Sequence, residues 1–162
     1  MDNIKTTSIP GLLILERPLL TDERGFYREI FRNDDVERLS GVKFNGIQLN
    51  HSRSKPGVIR GIHAEEWDKI IYPVSGEVFI AIVDVRPDSP TFGKVETFEV
   101  SDDNRIGFFI PNGLEIKIGQ DNIRDRINIL SNLLIQLRDE LGNIKYIDLR
   151  FKEPVIKLNS HK

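Results

Sequence analysis

Few side chains in this chain can move protons. There are three histidines and no cysteine in 162 residues, so no thiol can attack. His63 has the most reactive neighbourhood. It lies in Val58-Ile59-Arg60-Gly61-Ile62-His63-Ala64-Glu65-Glu66-Trp67-Asp68-Lys69, three residues after Arg60 and six before Lys69. An imidazole, with an intrinsic pKa of about 6.5, is a suitable base at neutral pH. In a regular strand Arg60 and His63 would point to opposite faces, but Gly61 allows a bulge that could change this. The plainer alternative is an exposed salt-bridged face, with Glu65, Glu66 and Asp68 pairing with Lys69. His51 lies in Gln48-Leu49-Asn50-His51-Ser52, and His161 in a tail expected to fray.

A second constellation is Asp22-Glu23-Arg24-Gly25-Phe26-Tyr27-Arg28-Glu29. Arg24 can fork onto a phosphate or carboxylate, and Phe26 or Tyr27 could stack on a base or sugar. On these residues alone a solvated charged turn is the favoured reading. A metal centre of the cupin type is a rival reading for His63. It needs paired histidines with a carboxylate, then a later histidine after a Pro-x-Gly turn. Here Ala64 and Glu65 follow His63, and no histidine lies between Pro111 and Asn159, so we expect no metal site. Phosphate-cradling and dinucleotide-binding glycine loops are missing, as is a Gly-x-Ser-x-Gly elbow.

Composition narrows the classes further. Lys and Arg number 23 against 25 Asp and Glu, a net charge of −2, which argues against a mainly electrostatic nucleic-acid binder but not against a local anion pocket. No apolar run approaches the roughly 18 residues of a membrane span, and the first residues lack the apolar stretch of a secretory signal. The expectation is a cytoplasmic chain forming a single domain over 1–162, with no nucleic-acid or membrane partner.

The elements that must position these groups read mostly as short strands. Ile9-Pro10-Gly11 is a turn before the apolar run Leu12 to Leu15, and Asp22 to Gly25 is a loop or tight turn. Phe26 to Phe31 reads as a strand. Asn33 to Leu39 reads as a short helix, capped by Asn33 or Asp34, with Gly41 beyond its end. Val78 to Val85 is apolar on both faces, which predicts a buried central strand; Arg86 to Pro90 is a loop. Val95 to Val100 alternates, and Ile106 to Ile110 is a strand stopped by Pro111-Asn112-Gly113. This pattern predicts an antiparallel barrel or sandwich. Strands near Gln48–Asn50, Ile59–His63, Val78–Val85 and Ile106–Ile110 are expected to line one pocket.

The last third fits two periods. Ile123, Ile127, Leu130, Leu134, Leu137 and Leu141 form a helical stripe, whereas Ile127, Ile129, Leu133, Ile135 and Leu137 fit period two. We favour strands over a helix at 123–141, because the rest of the chain is β-rich. Asp139 to Asn143 would then turn the chain into a strand at Ile144 to Ile147.

Taken together these segments resemble the dTDP-4-dehydrorhamnose 3,5-epimerase family. The resemblance is carried by Asp22-Glu23-Arg24-Gly25-Phe26 through Glu29, Gln48-x-Asn50-His51-Ser52 and Val58-Ile59-Arg60-Gly61-Ile62-His63. It continues through Gly76-Glu77-Val78-Phe79, Val83-Asp84-Val85-Arg86, Asp88-Ser89-Pro90-Thr91-Phe92-Gly93 and Ile110-Pro111-Asn112-Gly113. These pieces stand in family order from about residue 8 to residue 113. The resemblance implies an all-β cupin-like jelly roll, a homodimer, no cofactor, and a role in polysaccharide biosynthesis. It implies an epimerase that inverts C3, C5 or both of a nucleoside diphosphate 4-keto-6-deoxy sugar. By family position His63 is the base and Lys69 lies near the developing C4 oxyanion. Arg24, Glu29, Gln48, Asn50 and Arg60 hold the sugar and nucleotide, and Phe26 packs against the ligand or supports Arg24.

After Gly113 the sequence departs from the family pattern. Leu114 to Ile118 replaces a Gly- or His-containing segment, and Ile129 falls near the place of the tyrosine acid. The only later tyrosine is Tyr146. A near-terminal acidic partner for the histidine has no clear match, and Asp84 is a tempting substitute. The alternative this raises is a noncatalytic nucleotide-sugar binder.

Overall fold

Strand Glu77–Asp84 (β7) shows why the chain folds as it does. It has apolar residues at both parities, so both of its faces must be covered. The computed structural model describes residues 3–63, 66–112, 114–119, 123–139, 144–148 and 155–158. In it, β7 pairs on one side with Val95–Ser101 (β8) and on the other with Leu114–Gly119 (β10). Beyond β10 lies Arg60–His63 (β5), giving a sheet ordered β5-β10-β7-β8. The second sheet contains Asn3–Thr6 (β1), Leu13–Glu16 (β2), Gly107–Ile110 (β9) and Lys69–Ile71 (β6), ordered β1-β2-β9-β6. Two antiparallel four-stranded sheets face each other in a cupin-like jelly roll.

Side-chain alternation sorts the core. Ile80 and Ile82 of β7 and Val100 of β8 meet Phe108 and Ile110 of β9 between the sheets, with Leu12 and Ile9 closing the same cluster. Phe98 and Phe108 pack ring to ring from opposite sheets, 4.7 Å between centroids. The intervening residues face outward. Leu13, Leu15 and Phe109 turn away from the intersheet core and are covered by helix Asn33–Ser40 (α1) through Val36, and by Phe44.

Helix Ile123–Gln136 (α2) covers the outer face of the other sheet. Leu133 and Leu134 pack against Val83, Val85 and Val95. This corrects the expectation of strands at 123–141. The period-two match was fortuitous: Ile129 and Ile135, which it would bury with Leu133 and Leu137, are exposed. Leu134, a member of the 4-3 stripe, is buried against Val83, which a helix and not a hairpin covers. Past the helix, Arg138 lies over the Phe92 ring at 4.9 Å and donates to the Pro87 carbonyl at 2.6 Å. Ile144–Asp148 (β11) is a strand as expected, but it pairs with Val155–Leu158 (β12). The turn expected over Asp139–Asn143 lies outside the described residues from 140 on, as do Ala64, Glu65, Gly113 and His161.

Three further expectations are corrected. The strand expected over Phe26–Phe31 is confined to Gly25–Tyr27 (β4), which pairs with Leu20–Asp22 (β3). Gly25, at φ +127°, completes the tight turn. Neither Asn33 nor Asp34 caps α1. Arg32 holds the N-cap position without a side-chain cap, and the acidic residues Asp34 and Asp35 complement the helix dipole in the first turn instead. Gly41 does end that helix, left-handed at φ 74° and donating to the Glu37 carbonyl. Finally, Gln48–Asn50 belongs to a stretch, residues 42–59, with neither strand nor helix, because among the described residues no strand runs beside it to complete a ladder.

Asp84 closes β7 and organises the loop after it. Its side chain is fully buried and accepts from Arg86 Nε and Nη2 (2.8 Å each), Ser89 Oγ (2.6 Å) and Thr91 Oγ1 (2.6 Å). Burial pushes the carboxyl up, but the donors from Arg86, Ser89 and Thr91 outweigh it and hold the group at about 2. A carboxyl depressed below its ordinary 3.8 stabilises the fold above that value and loses the contribution as pH falls towards 2. Between pH 5 and pH 2 the wild-type unfolding free energy should therefore drop by about 2 kcal/mol more than that of Asp84→Asn. At pH 7 the variant should be less stable by about 3 kcal/mol, since it leaves Arg86 without its anion; urea titrations at each pH measure both. The helix assignment is checked in the same way. Leu134→Ala should cost about 3 kcal/mol, and Ile135→Ala less than about 0.5 kcal/mol.

Candidate active site

Arg60 and His63 are an odd number of residues apart, yet the register puts them on one face. His63 stands opposite Ile116 and Arg60 opposite Ile118, so three steps along β5 match two along β10. The extra residue is a bulge in β5, beside Gly61. The same β10 positions stand opposite Ile82 and Ile80 of β7, whose side chains fill the space between the sheets. Residues directly opposite in a ladder share a face. His63 and Arg60 therefore belong to the inner face of their sheet, at its edge.

Lys69 reaches the same region from the other sheet. It stands opposite Ile110 in the β6–β9 ladder, and Ile110 and Ile71 both face the intersheet core. Lys69 is half-buried, and its Nζ lies 3.4 Å from the His63 carbonyl oxygen, to which it donates. Asp68 accepts from the Asn112 backbone N–H at 2.8 Å, tying the start of β6 to the turn after β9. His63 and Arg60 are exposed. Arg60 donates to neutral groups, Ser54 Oγ at 2.8 Å and the Arg53 carbonyl at 3.2 Å, so these contacts leave its charge uncompensated. An imidazole and a primary ammonium carried on two facing sheets are residue types able to take a proton from carbon and to steady an oxyanion.

The other expected residues sit on different elements. Arg24 is at the tip of the β3–β4 hairpin, where its guanidinium forks onto Asp22, Nη2 to Oδ2 at 2.5 Å and Nε to Oδ2 at 3.1 Å. That contact raises the Arg24 pKa and lowers that of Asp22. Phe26, on β4, is exposed. Arg28 anchors the hairpin by donating to Tyr72 Oη at 3.0 Å and to the Arg105 carbonyl, with its guanidinium over the Tyr72 ring. Burial pushes the Arg28 pKa down. Glu29 follows the hairpin and pairs with Arg32 Nε at 2.7 Å and Arg17 Nη2 at 3.5 Å. Gln48 and Asn50 are exposed and bonded to each other, Nε2 to Oδ1 at 3.1 Å. Thus Arg60 and His63 share a face of β5 and Lys69 reaches the His63 backbone from the other sheet, while Arg24 and Phe26 lie on the hairpin with Glu29 just after it, and Gln48 pairs with Asn50 elsewhere.

Sequence reasoning missed Ser54, for which there was no signal, and Arg17. For Arg17 a signal existed: it is the third member of the alternation Leu13, Leu15, Arg17, whose first two members are buried. Asp84 is engaged by its own loop, as described above, and makes no bond to His63 there. Among the described residues no three His, Asp or Glu side chains cluster as a metal ion would need, and no helix is long and apolar enough to cross a membrane.

A jelly roll with an imidazole and cations on its facing inner surfaces defines a cupin-like protein equipped for acid–base chemistry. Comparison with known proteins makes the class specific. Residues 6–116 match the family model for dTDP-4-dehydrorhamnose 3,5-epimerase. The chain is 40% identical over 111 residues to the dTDP-4-dehydrorhamnose 3,5-epimerase of Salmonella typhimurium, covering 66% of this chain and 61% of that one. It is 38% identical over 110 residues to that of Methanothermobacter thermautotrophicus, covering 66% and 59%. Among solved structures, the dTDP-6-deoxy-D-glucose-3,5-epimerase of Legionella pneumophila, in complex with dTDP-4-keto-L-rhamnose, superposes with a TM-score of 0.67. It is 37% identical and covers 74% of this chain and 65% of that one. A 3'-monoepimerase from Streptomyces bikiniensis, in complex with dTDP-quinovose, gives 0.65 at 30% identity, covering 70% and 60%. The chain belongs to the dTDP-4-dehydrorhamnose 3,5-epimerase family. It spans about three-fifths of the length of the curated relatives it matches.

Proposed function

We propose that this chain acts on a nucleoside diphosphate 4-keto-6-deoxy sugar, inverting C3, C5 or both. The observation that carries this reading is the bulge that sets Arg60 and His63 on the inner face, with Lys69 arriving at His63 from the opposite sheet. His63 takes the proton from the carbon next to the C4 ketone. The C–H electron pair moves into the enolate, and the charge gathers on the C4 oxygen beside Lys69. A proton returned to the other face of the same carbon completes the inversion, so no redox or metal step is required. Arg24 and Arg60 hold the diphosphate, Glu29, Gln48 and Asn50 the nucleotide and sugar, and Phe26 packs on the ligand or braces Arg24. Such a reaction fits a cytoplasmic role in polysaccharide biosynthesis.

A second reading is binding without turnover. It is favoured by the end of the family match at residue 116 and by helix α2, which carries Ile129 where the resemblance implies the tyrosine acid. Incubation with dTDP-4-keto-L-rhamnose in deuterated water separates the two. Turnover predicts deuterium at C3 or C5, and His63→Ala should reduce its incorporation by at least about a thousandfold. Tight binding by calorimetry with no exchange would leave the second reading standing.

We also propose a homodimer. Ile47 and Leu49 are 91% and 96% exposed in the isolated chain and alternate with Gln48 and Asn50, the pattern of a strand awaiting a neighbour. Phe26, Tyr27 and Leu20 on the β3–β4 hairpin are also largely exposed. A second copy pairing along these segments would bury both apolar rows. Light scattering should give twice the chain mass, and Leu49→Glu should shift it to the monomer; a monomeric wild type would overturn the assembly.

A further inference from the structure

We propose that Arg17 is a positioning residue that fixes the Glu29 carboxylate for substrate binding; this rests on the reading above that Glu29 contacts the ligand. Arg17 directly follows β2, whose Leu13 and Leu15 pack under α1, and it meets that helix at Asp35. Its side chain is 1% exposed. A guanidinium so enclosed needs anions close by, because losing its water is costly. Asp35 of α1 supplies one, its Oδ2 2.7 Å from Arg17 Nη2, and Glu29 a second, its Oε1 3.5 Å from the same nitrogen.

The chain of charges continues outward from both carboxylates. Arg38 donates to Asp35 Oδ1 at 2.9 Å, and Arg32 donates to Glu29 Oε2 at 2.7 Å. The contacts from Arg38 and then Arg17 hold the Asp35 carboxyl below its ordinary pKa, so it stays charged. Arg32 and Arg38 are mostly exposed, whereas Arg17 is locked in the fold. Of the two guanidinium groups on Glu29, the buried one cannot follow the carboxylate if it drifts, and the exposed one can. Glu29 is itself about one-third exposed, leaving part of its carboxylate open to a ligand. Arg17 thus links the packing of α1 on β2 to the orientation of a polar group beside the hairpin that carries Arg24.

The test is calorimetric titration of dTDP-4-keto-L-rhamnose into the full chain, which needs no turnover. Glu29→Gln should weaken binding about tenfold, and Arg17→Met by a similar factor. The double variant should be no weaker than Glu29→Gln alone, because both act through one carboxylate. Arg17→Lys keeps the buried charge and should recover part of the affinity; it also serves if Arg17→Met does not fold. Asp35→Asn removes the other carboxylate while leaving the Arg17–Glu29 pair. It should lower the melting temperature yet leave the dissociation constant within about twofold, which a purely structural role for Arg17 would not predict. If Glu29→Gln weakens binding while both Arg17 variants bind as wild type, or if the losses add, the positioning role is overturned and the reading of Glu29 stands. If Glu29→Gln itself binds as wild type, the assignment of Glu29 fails, and the role of Arg17 fails with it.

Discussion

From Ile80 to Asp84 strand β7 is buried on both faces, and the arrangement of the rest follows from covering both of its sides. Its inner residues, Ile80 and Ile82, draw the β1-β2-β9-β6 sheet across the core through Phe108 and Ile110. Its outer residue Val83 needs a second cover, which α2 supplies through Leu134. Register then carries this constraint sideways. Once Ile80 and Ile82 are committed inward, the ladder with β10 fixes which residues of β5 share that face. A slip by one residue would turn His63 out of the intersheet face. The orientation of the candidate base is thus held by the apolar packing of a strand two positions away.

The bulge in β5 makes the site compatible with that packing. Without it, a strand carrying Arg60 inward would direct His63 outward. Gly61 made the possibility readable in the sequence, although which residue on β10 would stand opposite depended on pairing that only the folded chain reveals. The strands at Val78–Val85, Val95–Val100 and Ile106–Ile110 were readable because burial imposes a local pattern on each of them. Helix α2 was not readable. Its stripe fits two periods, and the deciding partner, Val83, lies about fifty residues earlier in the chain. Gln48 and Asn50 were misread as a strand for a related reason: alternation marks a segment fit to pair, but pairing needs a neighbour. The α1 cap went astray because the first-turn acids serve the helix dipole without occupying the cap position.

Charge in this protein is balanced locally as well as in total. Arg17, Arg24, Arg32, Arg38 and Arg86 all lie within an ion pair of a carboxylate. Arg60, like Arg28, is bonded to a hydroxyl and a carbonyl, but unlike Arg28 it is exposed. A guanidinium held by neutral acceptors keeps most of its field for an incoming anion. A chain with a net charge of −2 can therefore present a cationic spot without being a cationic protein. Arg24 sits at the opposite extreme, forked onto Asp22, so a phosphate reaching it must share or replace that carboxylate. On the proposed reading the two arginines contribute differently: Arg60 adds long-range attraction, and Arg24 adds contact only once the ligand has arrived.

The division of the chain at residue 116 separates two halves of the proposed chemistry. Arg60, His63 and Lys69, which would generate and stabilise the enolate, all lie within the matched stretch. A donor for the opposite face would have to come from elsewhere, and the segment that follows is given over to α2, whose Leu133 and Leu134 are spent on covering β7. Proton removal and inversion are therefore separable here. An imidazole that returns a proton to the face it came from exchanges hydrogen without changing configuration, whereas inversion needs a second group across the sugar ring. The same fold that fixes His63 through β7 leaves that second position unassigned by the matched stretch. On the proposed reading, loss of a donor would reduce such a chain from epimerase to exchange catalyst or binder while leaving the proposed base, the proposed oxyanion site and the sheet register intact.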